Sequence, residues 1–317
     1  MTIKPLSFSK LKTVPLAQRQ VDTDSKDFGA PYQPGSGFDN FLCSLPNLGC
    51  AGDLFRLRDA ITQAYRNKHA IILACGSHVL DSGLGPLICR LIEQKIVSGL
   101  ALTGAALEQD VEIAISGRTV TARERELNDG NYFMTEETGC FINDAINFGT
   151  LEHWGIGKSI GKHLQESELE HLDHSVVATA SRYGIPVSVH PAIGADAFCF
   201  HPASHGEAIG ASGIIDFRLL AGMMAASSHG VVINIASSVV MPRVLLQAVD
   251  AARNVGKTIE SVTTAVIDPA ASTSAITDVV TRLSLPNGAG FWLSGPDEIL
   301  VPLLFASVLE ALGEDIT

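Results

Sequence analysis

Three short runs of small and polar residues stand where chemistry could be done. The first is Gly76-Ser77-His78, with Asp81-Ser82-Gly83 close behind. The second is Thr103-Gly104-Ala105-Ala106, and the third is Asn234-Ile235-Ala236-Ser237-Ser238. Each comes at or just after the end of an apolar run. Each is therefore expected at the carboxyl end of a strand, beside a helix start whose free N–H groups suit an anion. Small side chains there let a pyrophosphate or a ribose come close to the backbone. One such run alone also reads as an ordinary tight turn; three in one chain point to a nucleotide site.

Other candidates flank these runs. Glu108 and Asp110 follow the second; a carboxylate at a helix start either complements the dipole or holds an amine. His190, Asp196, His201 and His205 lie in VHPAIGADAFCFHPASHGEAIG, after a predicted strand, and read as a substrate loop. No thiolate spacing there supports zinc. His171 and His174 sit three apart in a charged segment, the pattern of a solvated helix face. GIGKSIGK (residues 155–162) has the look of a phosphate loop. Glu152 stands where that loop needs glycine, and no strong strand precedes it, so it reads as a helix start with solvated lysines. The G-x-G-x-x-G fingerprint is absent from the first turn.

The elements that must position these residues follow from hydrophobic periodicity. Asp53 is expected to cap a helix from Leu54 to Asn67, ahead of a strand at Ala70–Ala74. A helix through Leu84–Lys95, a strand at Gly99–Leu102 and a helix starting near Glu108 complete a strand–helix–strand–helix unit with short turns. Further strands are expected at Val187–Val189, Val231–Ile235 and Ser261–Val266, and the region from Asp144 to Ser175 reads as polar and helical. Residues 1–40 are rich in breakers and read as an arm; residues 41–317 read as a single α/β domain. The fold class is a Rossmann-like parallel sheet with helices on both faces.

Composition agrees. Of 317 residues, 46% are apolar and 18% charged, enough for a large core of strands buried on both sides. A net charge of −12 without a Lys/Arg run argues against nucleic acid and leaves room for a cationic partner. No uncharged apolar stretch reaches a membrane span, and the N-terminus has no signal-type apolar region, so a cytoplasmic location is expected. The scattered cysteines read as free thiols.

The run DSGLGPLICRLIEQKIVSGLALTGAALEQD (residues 81–110) resembles deoxyhypusine synthase without gaps. YGIPVSVHPAI (183–193), IIDFRLL (214–220), ASSVV (236–240) and LVPLLFASV (300–308) resemble later segments of that family in the same order. The resemblance covers about residues 50–310. A shorter run, LALTGAALEQDVEIAISG, is similar to archaeal-type NAD-dependent ornithine cyclases. The resemblance implies an NAD-binding sheet, a homotetramer with sites between paired subunits, and oxidation of an amine carbon through an imine. It puts NAD near Ser77, Ser82, Thr103, Gly104 and Ser238, and a substrate ammonium near Glu108 or Asp110. Gly76, Ser237 and Asp268 join the cofactor set, and His190 and Asp196 the substrate set. The family's lysine carrier falls, by ungapped counting, on Leu283; the last lysine in the chain is Lys257. The family's Lys-His-His after the third turn becomes Met241-Pro242-Arg243. The expectation is thus an NAD-dependent enzyme of a small amine that is not a deoxyhypusine synthase, or a catalytically inactive relative acting as a sensor or structural subunit.

Overall fold

The computed structural model describes residues 3–119, 127, 128, 130 and 135–315. Before the sheet come α1 (Gly37–Ser44) and α2 (Gly49–Arg66). The chain continues through β1 (Ile71–Cys75), the single turn α3 (His78–Asp81), α4 (Gly85–Glu93), β2 (Gly99–Thr103) and α5 (Gly104–Ser116). Further on come α6 (Glu136–Leu151), α7 (Ile156–Glu166) and α8 (Val176–Tyr183). Then come β3 (Val187–His190), α9 (Gly206–Ala225), β4 (Val231–Ile235), α10 (Val240–Asn254) and β5 (Thr263–Ile267). A short helical start at Thr273–Ala275 passes into a π-helix at Ile276–Leu283, and β6 (Gly290–Leu293) and α11 (Asp297–Leu312) close the fold.

All six strands are parallel, in the order β3-β2-β1-β4-β5-β6. Helices cover both faces, which is why β1, β2 and β4 are buried along their whole length. Leu73, Leu100 and Ile233 face one core with α2, α4, α5, α8 and α11. Ile72, Ala101 and Val232 face a second core with α9 and α10. The α/β fold expected from the sequence is the one found.

Three details differ. Helix α2 begins at Gly49, so Asp53 lies inside it, paired with Arg56 at 2.6 Å, and does not cap it. Helix α5 begins at Gly104, directly after β2, with Thr103 as its cap: Thr103 Oγ1 accepts the Ala106 N–H at 3.1 Å. The edge strand β6 was not expected, because it is short, with only three apolar residues, and its residues are mostly half-exposed. Helix α9 is long and apolar enough by composition to cross a membrane, yet it packs on β3 and α10.

Buried carboxylates hold the helix layer. Asp216 on α9 accepts the Gly157 N–H at the start of α7 (2.9 Å) and the Val189 N–H of β3 (2.8 Å). A side chain at Gly155 would lie 1.8 Å from Asp216 Oδ1, and one at Gly157 would lie 2.2 Å from the Val187 carbonyl. The glycines of GIGKSIGK thus serve packing.

The strand order reverses between β1 and β4. Gly76 N–H donates to the Ile235 carbonyl at 3.0 Å, and a Cβ at Gly76 would sit 2.0 Å from the Ala236 carbonyl oxygen. Backbone cannot yield that far, so Gly76→Ala should destabilise the fold by about 1–3 kcal/mol. Chemical denaturation of the two proteins side by side checks this; equal midpoints would count against it.

Candidate functional site

Because the sheet is parallel, its strands end along one edge, and the loops there carry nearly every residue singled out in the sequence. In an open α/β sheet, ligands bind beyond these carboxyl ends, where the strand order reverses. Here that place lies between the ends of β1 and β4.

On the β1 side, Ser77 and Ser82 are half-buried. On the β4–β5 side, Ser238 Oγ donates to Asp268 Oδ2 at 2.6 Å, and Ser272 Oγ donates to the Ser238 carbonyl at 2.8 Å. Asp268 also accepts the Ala270 N–H at 2.7 Å. Ser237 Oγ accepts the Met241 N–H at 3.4 Å. Beneath this turn the buried Asn234 donates to the Ser237 carbonyl at 2.7 Å, while its Oδ1 lacks a donor among the described residues.

The β2–β3 side is built differently. A side chain at Gly104 would lie 2.0 Å from Asp196 Oδ2. The Asp196 carboxylate accepts the Ala192 N–H at 2.7 Å, and the Ala105 N–H also points at it. The chain's own carboxylate therefore takes the start of α5. This corrects the expectation for Thr103 and Gly104: their turn is closed by Thr103 itself and by Asp196, and Gly104 is small to admit Asp196. Gly76 is corrected likewise, since the Ala236 carbonyl fills its open side.

Glu108 is the next acid. Its Oε1 accepts the Phe198 N–H at 2.6 Å. Burial, reinforced by the nearby charges of Asp196 and Glu112, raises its pKa to about 7. Burial also raises Asp196 above the usual carboxylate range. Neither Glu108 nor Asp196 is in an ion pair among the described residues. His190, beside Thr103 in the sheet, is buried against Ser188 Oγ at 3.1 Å, and burial lowers its pKa to about 4.

Asp110 does not join this group. It is fully buried on the other face of α5, where it accepts Ser175 Oγ (2.5 Å) and the N–H groups of Val176 (2.7 Å) and Val177 (3.2 Å). It caps α8 from a distance, which corrects the expectation that it meets a substrate ammonium. Leu283 also lies elsewhere. It ends the π-helix and is fully buried in the second core, and the Ser284 carbonyl beside it faces Gly288 next to the Val262 carbonyl, before β5 begins. Lys68, Lys95 and Lys257 precede β1, β2 and β5, on that same amino-terminal edge.

His78, from the first small-residue run, meets Asp297 and Glu298 at the start of α11, and neither acid was singled out in the sequence. His78 Nε2 lies 3.4 Å from Asp297 Oδ1 and 3.2 Å from Ser82 Oγ. A Gly-Pro pair ahead of two acids announces a helix start, but nothing in the spacing brings His78 to it.

No family model and no curated protein matches the chain. Solved structures do. The complex of AgrE with ornithine and NAD+ superposes with a TM-score of 0.53 at 15% identity, over 83% of this chain and 33% of that one. The chain thus spans about a third of AgrE's length. A LOR/SDH protein from Methanococcus maripaludis S2 gives 0.52 at 13% identity, over 82% of this chain and 68% of that one. A deoxyhypusine synthase homologue from Entamoeba histolytica gives 0.51 at 15% identity, over 88% and 95%. The fold is therefore the Rossmann-like fold that these proteins share, the one the sequence resemblance implied.

Two outcomes follow. Asp110→Asn should cost about 2 kcal/mol, since buried N–H donors lose a charged acceptor; unchanged stability in urea would show that the cap is dispensable. Glu108, moved from 4.5 to about 7, keeps a proton in the folded state that the unfolded chain has released. Its contribution therefore falls as pH rises through that window. Asp110, raised to about 6, and Asp216, raised to about 7, act in the same direction, both chiefly through burial. His190 opposes them between about 4 and 6.5. Glu108→Gln should flatten the fall in unfolding free energy by up to about 1.4 kcal/mol per pH unit. Parallel slopes for both proteins would exclude this role for Glu108.

Proposed function

We propose that this chain is a deoxyhypusine synthase-like, NAD-binding enzyme of a small cationic amine, polyamine or amino acid, and that it does not make deoxyhypusine. The observation that carries this reading is the pair Glu108 and Asp196, two acids without a cationic partner among the described residues, at the carboxyl edge beside the strand-order reversal. An ammonium there would offset their mutual repulsion. His190 stays neutral at pH 7 and so does not repel it. Glu108, with its proton affinity raised by burial, is matched to take a proton from the amine near neutral pH.

Ser77, Ser82, Ser237, Ser238 and Asp268 would hold NAD. The Asn234 Oδ1 buried without a donor fits a hydroxyl-bearing ligand at that turn. When bound, NAD supplies a hydride acceptor for the amine carbon, which becomes an imine. With the start of α5 taken by Asp196, the turns after β1 and β4 are the places left for a pyrophosphate. A cavity of about 600 Å3 at the amino-terminal edge is lined by Lys68, His69 and Arg218 and suits an amine poorly.

A second reading, a catalytically inactive relative that binds NAD or a polyamine, is favoured by the lack of a lysine in the loops that follow the strands. A lysine carrier needs a neutral amine beside the substrate, and Leu283 offers none. In either reading we take the protein as a cytoplasmic homotetramer. Exposed Ile3, Leu6, Phe8 and Leu16 in the arm support burial against other copies, and light scattering tests the tetramer.

Calorimetry with NAD, then with ornithine and spermidine on the NAD-loaded protein, tests the proposal. Glu108→Gln and Asp196→Asn should weaken amine binding at least about tenfold and leave NAD affinity unchanged. NADH appearing at its absorbance band supports the enzyme, and binding without NADH the inactive relative. No heat with NAD and no shift in melting temperature would sink the enzyme, and no heat with NAD, ornithine or spermidine would sink both.

A further inference from the structure

The cluster at the start of α11 lies outside the proposed amine chemistry. Asp297 is 0% exposed, and both its carboxylate oxygens lack a hydrogen-bond donor. Glu298 beside it adds a second carboxylate, and His78 faces both. One ligand atom from each residue lies within 4.8 Å of the others. A buried carboxylate with no donor and an acid for a neighbour is unfavourable unless a cation meets it. The dipole of α11 alone would disfavour a cation there. Two carboxylates in the first turn reverse that field.

We propose that His78, Asp297 and Glu298 bind a divalent transition-metal ion of the zinc or manganese kind. The donor set of one imidazole nitrogen and two carboxylates suits such ions, whereas magnesium and calcium favour oxygen alone. Two donors about 2.1 Å from a tetrahedral ion stand about 3.4 Å apart. His78 Nε2 and Asp297 Oδ1 are separated by 3.4 Å. A serine–histidine–aspartate relay is excluded by the geometry, because Ser82 Oγ and Asp297 Oδ1 both face the same nitrogen, Nε2, where a relay needs one partner on each ring nitrogen. His78 and Glu298 are exposed, so the site opens to solvent and leaves a coordination position for water or an anionic ligand.

The test uses chelator-treated full-length protein without NAD or amine, so it stands apart from the proposed function. Cobalt(II) is titrated and followed by its visible absorption, and zinc by calorimetry. The expected result is one tight equivalent with a tetrahedral cobalt spectrum, undisturbed by excess magnesium. His78→Gln and Glu298→Gln, both at exposed positions, should keep the wild-type melting temperature of the metal-free protein. Each should weaken binding at least about tenfold, the scale on which even outer-shell partners matter. A doubly substituted His171→Gln, His174→Gln control should bind as wild type does. Absence of a stoichiometric ion, displacement by magnesium, or loss of binding only in the His171/His174 control would overturn the proposal.

Discussion

Three buried aspartates accept amide N–H groups at the starts of helices, and the layer over β2 and β3 depends on them. Asp216 serves α7 and β3 together, Asp110 serves α8, and Asp196 serves the start of α5. A helix start leaves its first N–H groups unsatisfied. Many proteins meet that need with a serine or threonine next to the helix in sequence. Here Thr103 and Ser175 do so for α5 and α8, and an acid from a distant element takes further N–H groups, so each cap also fixes the packing of two elements. The cost is desolvation of the carboxylates, visible as their raised proton affinities.

This use of acids divides the carboxyl edge in two. Over β2 and β3 the helix start is filled from within by Asp196, with the charge of Glu108 close to it. Over β4 and β5 the groups are hydroxyls and the Asp268 carboxylate, already engaged by Ser238 and Ala270. The two halves of the carboxyl edge thus differ in charge. Lys68, Lys95 and Lys257 lie before β1, β2 and β5, away from the carboxyl edge.

Much of the frame was legible because β1, β2 and β4 are buried on both faces, and such strands read as nearly continuous apolar runs. β6 was not, since an edge strand can be half-exposed and short. Which of Glu108 and Asp110 lies free of the core was harder to read. Placing the start of α5 near Glu108 hid the stripe Ala106, Leu107, Asp110, Val111 and Ala114, which is buried along one face. With the helix starting at Gly104, Asp110 falls inside that stripe and Glu108 falls at its margin. The glycines misled for a related reason. Gly76 and Gly104 are small because protein atoms press on them, which a sequence cannot distinguish from room left for a ligand. His78 and Asp297 are more than two hundred positions apart by number, and no local pattern joins them.

The pairing of β1 with β4 has a consequence for how the chain is made. Ile72 pairs with Gly99 on one side and with Val232 on the other. During synthesis the first partner arrives early, and β1 and β2 can zip with α4 folded across them. The opposite edge of β1 then waits, unpaired and wholly apolar, until β4 emerges far downstream. An open strand edge of this kind is a template for wrong pairing, and contacts so distant in sequence form slowly. The crevice between β1 and β4 is therefore among the last parts of the molecule to exist, and while it is forming a nascent chain is most exposed to aggregation and most dependent on chaperones.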